Sequence, residues 1–453
     1  MFRTKSIPFE HKPDGNSPDH SEKPFIGSFG LNEIRNDVYF SLYGCEINPY
    51  VPPEDDTQFA VAVGGVFVIL YELPVDRPEF KQIGFMELNV ARLKNLKADD
   101  AHGLPERKEA LYTVAWCLDD KDDVNEHKIV CAGDRGVLYV IDGSSLKVER
   151  QLFGHGDGVY DVRTSHENPA LVVSASLDRT VRVFHIREQA CLLLFASQIA
   201  HLGEIYSVDW SEDGRRIYSG GVDHRVVIWD VGSREVQEHL GKCLEKISNG
   251  EQPGQLINDE DTVDRTNSGA IISNPKGHTL QISTPASIIT DAHSDCVDCV
   301  RTLQLGNSTH IISRAAGLER GLTQWQNKMV DSNKTEKPDD GISRAYCQHW
   351  YKEMEHGKPY MSKFDIDPSR RWVAAPGGDG YVQFFDIRDF ESEKAATTIR
   401  LKNRDSKELD GAQVHDISFS RNGQILFAVS EMGYVVRFDR IPASYQGTPK
   451  DLW

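Results

Sequence analysis

Two pairs of histidine and aspartate in the middle of the chain have the residue types of a general acid–base pair. Each histidine precedes its aspartate at nearly the same interval, with a serine between them. The two sets, in chain order, are His155, Ser174, Asp178 and His201, Ser219, Asp223. A histidine within hydrogen-bonding reach of a carboxylate could move a proton during catalysis. The same three residue types can also satisfy one another as buried structural groups.

The segments around these pairs are two copies of one unit, which favours the structural interpretation. Each copy begins near its histidine and ends in a strand with a large aromatic residue, Phe184 or Trp229. A period of roughly 40–45 residues, with Gly-His at one end and Trp-Asp at the other, is typical of WD40 repeats. Four short strands per unit form one blade of a β-propeller, in which these side chains hydrogen-bond in series. We therefore interpret the histidines and aspartates as structural.

The other candidate catalytic groups are weaker. Cys296 and Cys299 have half the spacing of a zinc or redox motif, but they lie in a predicted strand, where residues three apart face opposite sides. The glycines at 377, 378 and 380 resemble a phosphate cradle, yet their context predicts a hairpin turn. The sequence contains no nucleophile elbow, Walker loop or His-Glu-x-x-His pair. We therefore predict a protein that is not an enzyme and uses no metal or cofactor.

The composition argues against a membrane protein and against direct binding of nucleic acid. The chain has 453 residues and a net charge of −18, which favours a basic partner such as a histone tail. No apolar run approaches the ~18 residues that could span a bilayer. Residues 1–23 lack the apolar core of a secretory signal, and their composition predicts a disordered tail. Eight cysteines without a spacing framework suit a reducing compartment.

Copies of the unit can be placed on both sides of the central pair, so the sequence predicts an all-β, seven-bladed WD40 β-propeller over residues 24–441. We expect polar inserts at 243–291, partly disordered, and at 327–345, and a C-terminal tail at 442–453. The segment 24–34 is expected to supply the outer strand of blade seven, which would leave no sheet edge exposed. No long amphipathic helix is predicted.

A ring of tyrosines emerges when the innermost strands of the predicted blades are superimposed. Each innermost strand has one anchor residue at the equivalent position, which is Phe364 in blade six. The residues four positions before the anchors are, in blade order, Tyr43, Tyr112, Tyr160, Tyr206, Asp298, Tyr360 and His415. Equivalent positions on the innermost strands lie near one mouth of the channel. Tyrosine suits the first residue of a strand, so packing explains part of this pattern. Converging aromatic faces could instead enclose a quaternary ammonium group.

Several strings across the seven blades resemble the extra sex combs / embryonic ectoderm development (EED) family, the WD40 subunit of Polycomb repressive complex 2. They are Leu42-Tyr43-Gly44, Tyr112-Thr113-Val114-Ala115-Trp116, Gly154-His155-Gly156, Ser219-Gly220-Gly221-Val222-Asp223-His224, Val297-Asp298-Cys299-Val300-Arg301, Ser418-Phe419-Ser420-Arg421 and Phe438-Asp439-Arg440. The resemblance is divergent, which suggests a lineage far from vertebrates, such as that of the nematode maternal-effect-sterile members.

The resemblance implies a methyl-lysine cage whose residues can be carried over only in part. The family's first two aromatic residues fall on Tyr43 and Tyr112, and its peptide-contacting arginine falls on His415. Its adjoining Trp-Tyr pair has two candidate positions. Strand register places it on Tyr360 and Met361, whereas the local string favours Trp350 and Tyr351. If the first placement holds, one wall of the cage is a methionine, which lacks a π face.

The family resemblance implies a non-catalytic, nuclear scaffold and allosteric reader in transcriptional repression. Its expected partners are a SET-domain histone methyltransferase of the Enhancer-of-zeste type, further complex subunits, and the histone H3 tail around lysine twenty-seven. The alternative is another WD40 peptide-binding scaffold, such as a histone chaperone subunit or a ubiquitin-ligase adaptor.

Overall fold

Seven antiparallel sheets succeed one another along the chain in the computed structural model, each beginning with a strand beside a central channel. The residues that the structure describes are 26–28, 40–77, 79–88, 109–121, 124–250, 263–265, 271–273, 279–306, 308–316, 321–326, 342–343, 346–352, 361–377, 380–389, 392–401 and 413–440. The innermost strands contact their neighbours around the channel, and Arg314 of blade five donates to the Ser362 carbonyl at the start of blade six. The seven-bladed propeller is therefore confirmed.

The first four blades follow the predicted order. Blade one contains Gly44–Ile47, Thr57–Gly64, Phe67–Pro74 and Lys81–Glu87. Blade two contains Leu111–Lys121, Val124–Gly133, Leu138–Asp142 and Val148–Leu152. Blade three contains Val159–Thr164, Leu171–Ser176, Val181–His185 and Leu193–Phe195, and Leu280–Ile282 adds in parallel to its outer edge. Blade four contains Ile205–Trp210, Arg216–Gly221, Val226–Asp230 and Ser287–Ile289, with Ile342–Ser343 added in parallel.

The last three blades close the ring. Blade five contains Val297–Leu305, Ser308–Ala315, Gly321–Gln326 and Tyr346–Lys352, and blade six contains Asp365–Ile366, Trp372–Gly377, Tyr381–Asp386 and Thr397–Arg400. Blade seven contains Val414–Phe419, Ile425–Ser430 and Val435–Asp439, with a 3-10 turn at Glu431–Gly433. Its outer strand is Ile26–Ser28, which pairs antiparallel with Val435–Asp439. The predicted closure by the segment 24–34 is therefore confirmed.

A helix at Arg234–Ser248 was not predicted from the sequence. Its buried residues are Val236, Leu240, Cys243 and Ile247. The first three recur at the three- and four-residue spacing of one helix face and pack into the core of blades three and four. The expected insert 243–291 therefore includes the end of this helix. It also includes Ser287–Ile289, the outer strand of blade four, and a hairpin of Val263–Arg265 with Ile271–Ser273.

Some predicted segments lie outside the described residues. They are the two tails, 1–23 and 442–453, and most of the insert 327–345. Within that insert the described strand Ile342–Ser343 pairs with the outer strand of blade four.

The predicted structural network is present in the interior of the blades. In blade four, His201 lies 2.9 Å from the Ser219 hydroxyl and 3.1 Å from Asp223, and the Trp229 indole donates to the same hydroxyl. Blade three repeats the arrangement with His155, whose ring lies 2.7 Å from Ser174 and 2.9 Å from Asp178. Because these groups are buried and bonded to one another, they hold the blades together.

We expect Asp223→Ala to lower the free energy of unfolding by about 1–3 kcal/mol, because it leaves the buried His201 without its carboxylate partner. Urea denaturation would measure the loss, with the exposed Asp55→Ala as control. A variant that unfolds like the parent but has lost partner binding would contradict the structural assignment.

Candidate functional site

β-Bulges place the ring residues at the channel mouth. In five blades the pairing of the first two strands skips one residue near the start of the innermost strand. The skipped residues are Tyr112, Tyr160, Tyr206, Asp298 and His415. A bulge leaves one residue unpaired and redirects its side chain. In blade one, Tyr43 directly precedes the strand Gly44–Ile47 and donates its N–H to Val63. The ring predicted by counting therefore exists in six blades.

The tyrosines form a continuous aromatic arc over blades one to four. The ring centroids of Tyr43 and Tyr112 are 5.3 Å apart, and those of Tyr112 and Tyr160 are 4.7 Å apart in a stacked pair. Tyr160 and Tyr206 follow at 5.3 Å, with their planes at 63°. All four rings are half-buried. The arc is therefore packed on one side and faces the mouth on the other.

His415 extends the arc into blade seven, with its ring centroid 4.8 Å from that of Tyr43. Only 5% of His415 is exposed, and neither ring nitrogen has a hydrogen-bond partner among the described residues. Burial lowers the pKa of His415 to about 4, so the ring is neutral at physiological pH. The Glu431 carboxylate lies 3.7 Å from the His415 Nε2 atom, which is beyond hydrogen-bonding distance.

Two of the arc tyrosines, Tyr112 and Tyr160, stay protonated. Burial, followed by a hydrogen bond to Asp134, raises the pKa of Tyr112 well above its ordinary value. Burial and then the charge of Asp134 raise the pKa of Tyr160 in the same way. Neutral rings beside a carboxylate present an electron-rich face, which attracts cations.

Polar residues close the ring at blades five and six. Asp298 forms a buried ion pair with Arg314, at 2.8 Å. In blade six the structure corrects the predicted anchor. Ile366, and not Phe364, occupies the position in the sheet that Trp210 occupies in blade four. The residue four positions earlier is therefore Ser362, a buried residue whose hydroxyl donates to the Val414 carbonyl. The aromatic part of the ring thus lies over five blades, which are blade seven and blades one to four.

The structure separates the two placements of the expected Trp-Tyr pair. Trp350 and Tyr351 lie in the outer strand of blade five, opposite Thr323 and Leu322. Tyr351 is buried, and its hydroxyl donates to Gln324. They are therefore not brought to the mouth, because the outer strand of a blade lies far from the channel.

The other placement, on Tyr360 and Met361, is only partly described. Tyr360 lies outside the described residues. Met361 is half-buried with a positive φ of 55°, and it precedes Ser362 and Lys363. The Lys363 N–H donates to the His415 carbonyl at 2.7 Å, so the backbone next to Met361 runs beside blade seven.

Beneath the ring, a buried carboxylate connects five blades. Asp161 lies 2.9 Å from the Lys363 ammonium and 3.3 Å from the Arg301 guanidinium. It also accepts hydrogen bonds from the Ser207 hydroxyl and the Val208 N–H. Burial alone would raise the pKa of Asp161, but the two cations hold it well below its usual range. Lys363 reaches on to the Thr113 hydroxyl of blade two at 3.0 Å.

Polar side chains also join most of the innermost strands to the next, an arrangement that the sequence analysis missed. In these bonds a carboxylate or hydroxyl accepts a backbone N–H from the neighbouring blade. The pairs are Asp416 with Cys45, Glu46 with Trp116, Thr113 with Val162, Asp161 with Val208, Ser207 with Val300, Asp209 with Thr302 and Asp365 with Phe419. The sequence feature that could have predicted these bonds is a polar residue one to three positions after a ring residue. These bonds hold the ring residues at fixed separations.

One of these carboxylates makes stability depend on pH. Burial raises the pKa of Glu46 to about 7, above the ~4.3 of an unfolded chain. The folded state therefore keeps a proton that the unfolded state has lost, and stability falls as pH rises from about 5 to about 8. We expect Glu46→Gln, which keeps an acceptor for the Trp116 N–H, to reduce this fall, as measured by urea denaturation at both pH values. The exposed Glu54→Gln is the control. An unchanged pH dependence in Glu46→Gln would contradict the assignment.

The described residues contain no group of three or more histidine, cysteine, aspartate or glutamate side chains arranged to hold a metal ion. Cys296 and Cys299 are both buried free thiols, and burial raises the pKa of Cys299 to about 12. None of the helices in the described ranges is long and apolar enough to cross a membrane.

Comparison with known proteins agrees with this geometry. The family model "WD domain, G-beta repeat" matches residues 146–185 and 194–230. The Polycomb protein mes-6 of Caenorhabditis elegans is 32% identical over 98% of this chain and 97% of its own length. The chain belongs to this Polycomb family. The Polycomb protein esc of Drosophila melanogaster is 25% identical over 88% of this chain and 81% of its own length.

A solved structure supports the fold of this Polycomb WD40 protein. A chain of the Chaetomium thermophilum polycomb repressive complex 2, solved in complex with H3K27me3, aligns with a TM-score of 0.66. It is 14% identical and covers 94% of this chain and 98% of that chain. At this identity the match shows the shared propeller alone.

Proposed function

We propose that this Polycomb WD40 protein is a non-catalytic subunit of a nuclear complex that methylates histone H3. It holds the SET-domain methyltransferase on one face and binds the methylated H3 tail at the mouth of the other. Occupation of the mouth then stimulates the enzyme. Membership of the Polycomb family supports the complex, and the aromatic corner of Tyr43, Tyr112 and His415 supports the binding of the tail.

The corner has the chemistry of a site for a methylated ammonium group. A trimethylated lysine keeps its charge but has no N–H to donate, so it is held by aromatic faces rather than by ion pairs. Tyr43 and Tyr112 meet at 75°, which provides two walls of different orientation. His415 packs against Tyr43 as a neutral, almost fully buried ring, and so holds that wall in place. The net charge of −18 favours a basic tail over an acidic one.

The opposite face remains available for the methyltransferase. Each innermost strand begins at the ring and ends in a hairpin on the other side of the propeller, such as that between Val159–Thr164 and Leu171–Ser176. A partner helix with apolar residues at i, i+3, i+4 and i+7 is expected to dock there.

Site-specific cross-linking of the purified complex would test this arrangement. A photoreactive amino acid in place of His166, which is exposed in a hairpin of the opposite face, is expected to label the SET-domain enzyme. The same group in place of Glu204, exposed next to the ring, is the matched control and is expected to leave the enzyme unlabelled. Labelling only from position 204, or copurification with a cullin-type scaffold instead of a SET-domain protein, would contradict the proposal.

A further inference from the structure

The arc continues past the proposed methyl-lysine corner, and the corner does not account for its second half. Tyr160 and Tyr206 lie on blades three and four, on the side of Tyr112 away from Tyr43. Both are bulge residues that face the mouth, and both rings are half-buried. A cage for a single ammonium group needs only the aromatic faces around one point.

The charged groups acting on this second half are carboxylates. Asp134 lies beside the turn that leads into Tyr160, with its Cα 3.5 Å from the position that a Cβ on Gly158 would take. Its carboxylate raises the pKa of both Tyr112 and Tyr160, after the larger effect of burial. Asp157, half-buried in the turn before the innermost strand of blade three, acts on Tyr160 as well. Such a site attracts a cation by two independent interactions, one with the face of the aromatic ring and one with the negative charge of the carboxylate.

We infer that the arc Tyr112–Tyr160–Tyr206 binds an arginine side chain of the same peptide whose methylated lysine lies in the corner of Tyr43, Tyr112 and His415. The inference rests on the proposed function. A guanidinium group can lie flat on an aromatic ring while its N–H groups donate to a carboxylate such as that of Asp134, whereas a quaternary ammonium has no N–H to donate. The two halves of the arc therefore suit different cations.

The test uses the full chain and H3-tail peptides trimethylated at the Polycomb target lysine. Each arginine of the peptide is replaced in turn by citrulline, which keeps the shape and removes the charge. With the parent protein, one such replacement is expected to weaken binding about five- to tenfold in calorimetric titration. With Tyr206→Leu, and with Asp134→Asn, the same replacement is expected to change affinity less than about twofold.

The outcomes separate this inference from the proposed function. Tyr206→Leu is expected to keep the parent's preference for the trimethylated over the unmodified peptide, since Tyr43, Tyr112 and His415 are intact and Asp134 still lies beside Tyr112. If no citrulline replacement weakens binding to the parent, or if the loss is equal in the parent and both variants, the arginine site is refuted. If the parent binds methylated and unmodified peptides equally while arginine dependence remains, the methyl-lysine proposal fails instead.

Discussion

Asp161→Asn should lower the free energy of unfolding by about 3–5 kcal/mol, the largest effect expected from a single substitution here. The substitution keeps the size of the side chain and removes its charge. Lys363 and Arg301, which are buried on either side at 2.9 and 3.3 Å, would then lack their counter-charge. Urea denaturation followed by tryptophan fluorescence would measure the loss.

Two further variants make this result specific. Asp55→Asn removes the charge of an exposed carboxylate and should change stability by less than about 0.5 kcal/mol. Adding Lys363→Met to Asp161→Asn should recover part of the loss, because it removes one of the two uncompensated cations. If Asp161→Asn unfolds like the parent, the buried ionic group does not hold the inner strands together.

Tyr112→Ala should weaken binding of a trimethyl-lysine H3 peptide about tenfold, the largest effect expected on binding. Tyr112 lies between Tyr43 and Tyr160, at 5.3 and 4.7 Å between ring centroids, so it contributes to both halves of the arc. Loss of one aromatic wall costs about 0.5–2 kcal/mol, and loss of its packing against the neighbouring rings disturbs the others. Calorimetric titration would measure the change.

The matched control is Tyr112→Phe, which keeps the ring and removes only the hydroxyl bonded to Asp134. It should bind the trimethylated peptide within about threefold of the parent. An equal loss of affinity in the alanine and phenylalanine variants would assign the effect to the hydroxyl rather than to the aromatic face. Thermal unfolding of both variants would show whether the alanine variant is still folded.

Local patterns in the sequence were sufficient to predict the propeller and most of the ring. Strand alternation and hairpin residues recur from blade to blade, and the buried His-Ser-Asp set recurs in blades three and four. Blades three and four can therefore be recognised first and used as the template for the others. The tyrosines at 43, 112, 160 and 206 stand at one fixed interval from a well-marked anchor. In blades two, three and four the innermost strand has a β-bulge at this tyrosine. Because the bulge lies at the same position in each of these strands, the interval between tyrosine and anchor is constant.

Blade six was placed wrongly because its innermost strand is short. Only Asp365 and Ile366 pair with the second strand, so alternation gave little guidance. The sequence therefore favours the large aromatic Phe364 as the anchor, two residues before the true position at Ile366. The bond from the Asp367 N–H to the Trp372 carbonyl, at 2.9 Å, closes the hairpin and determines the register.

The remaining differences come from contacts between distant segments. Arg301 and Asp161 are 140 positions apart in the chain, and one sequence offers no signal that pairs them. Trp350 and Tyr351 resemble a local motif, but pairing with the strand Gly321–Gln326 places them on the outside of blade five. The helix Arg234–Ser248 is rich in charged residues, and only its end, from Cys243 to Ser248, falls in the segment 243–291 that the sequence analysis treats as a polar insert.

The account depends most directly on recognition of methylated lysine at the channel mouth. Calorimetric titration of the full chain with an H3-tail peptide, trimethylated at the Polycomb target lysine or unmodified, tests it in one experiment. We expect the trimethylated peptide to bind with a dissociation constant in the range of roughly tens to hundreds of micromolar, and the unmodified peptide at least about fivefold more weakly. Equal affinity for the two peptides would contradict the account and would leave the tyrosine ring a packing feature of a scaffold protein.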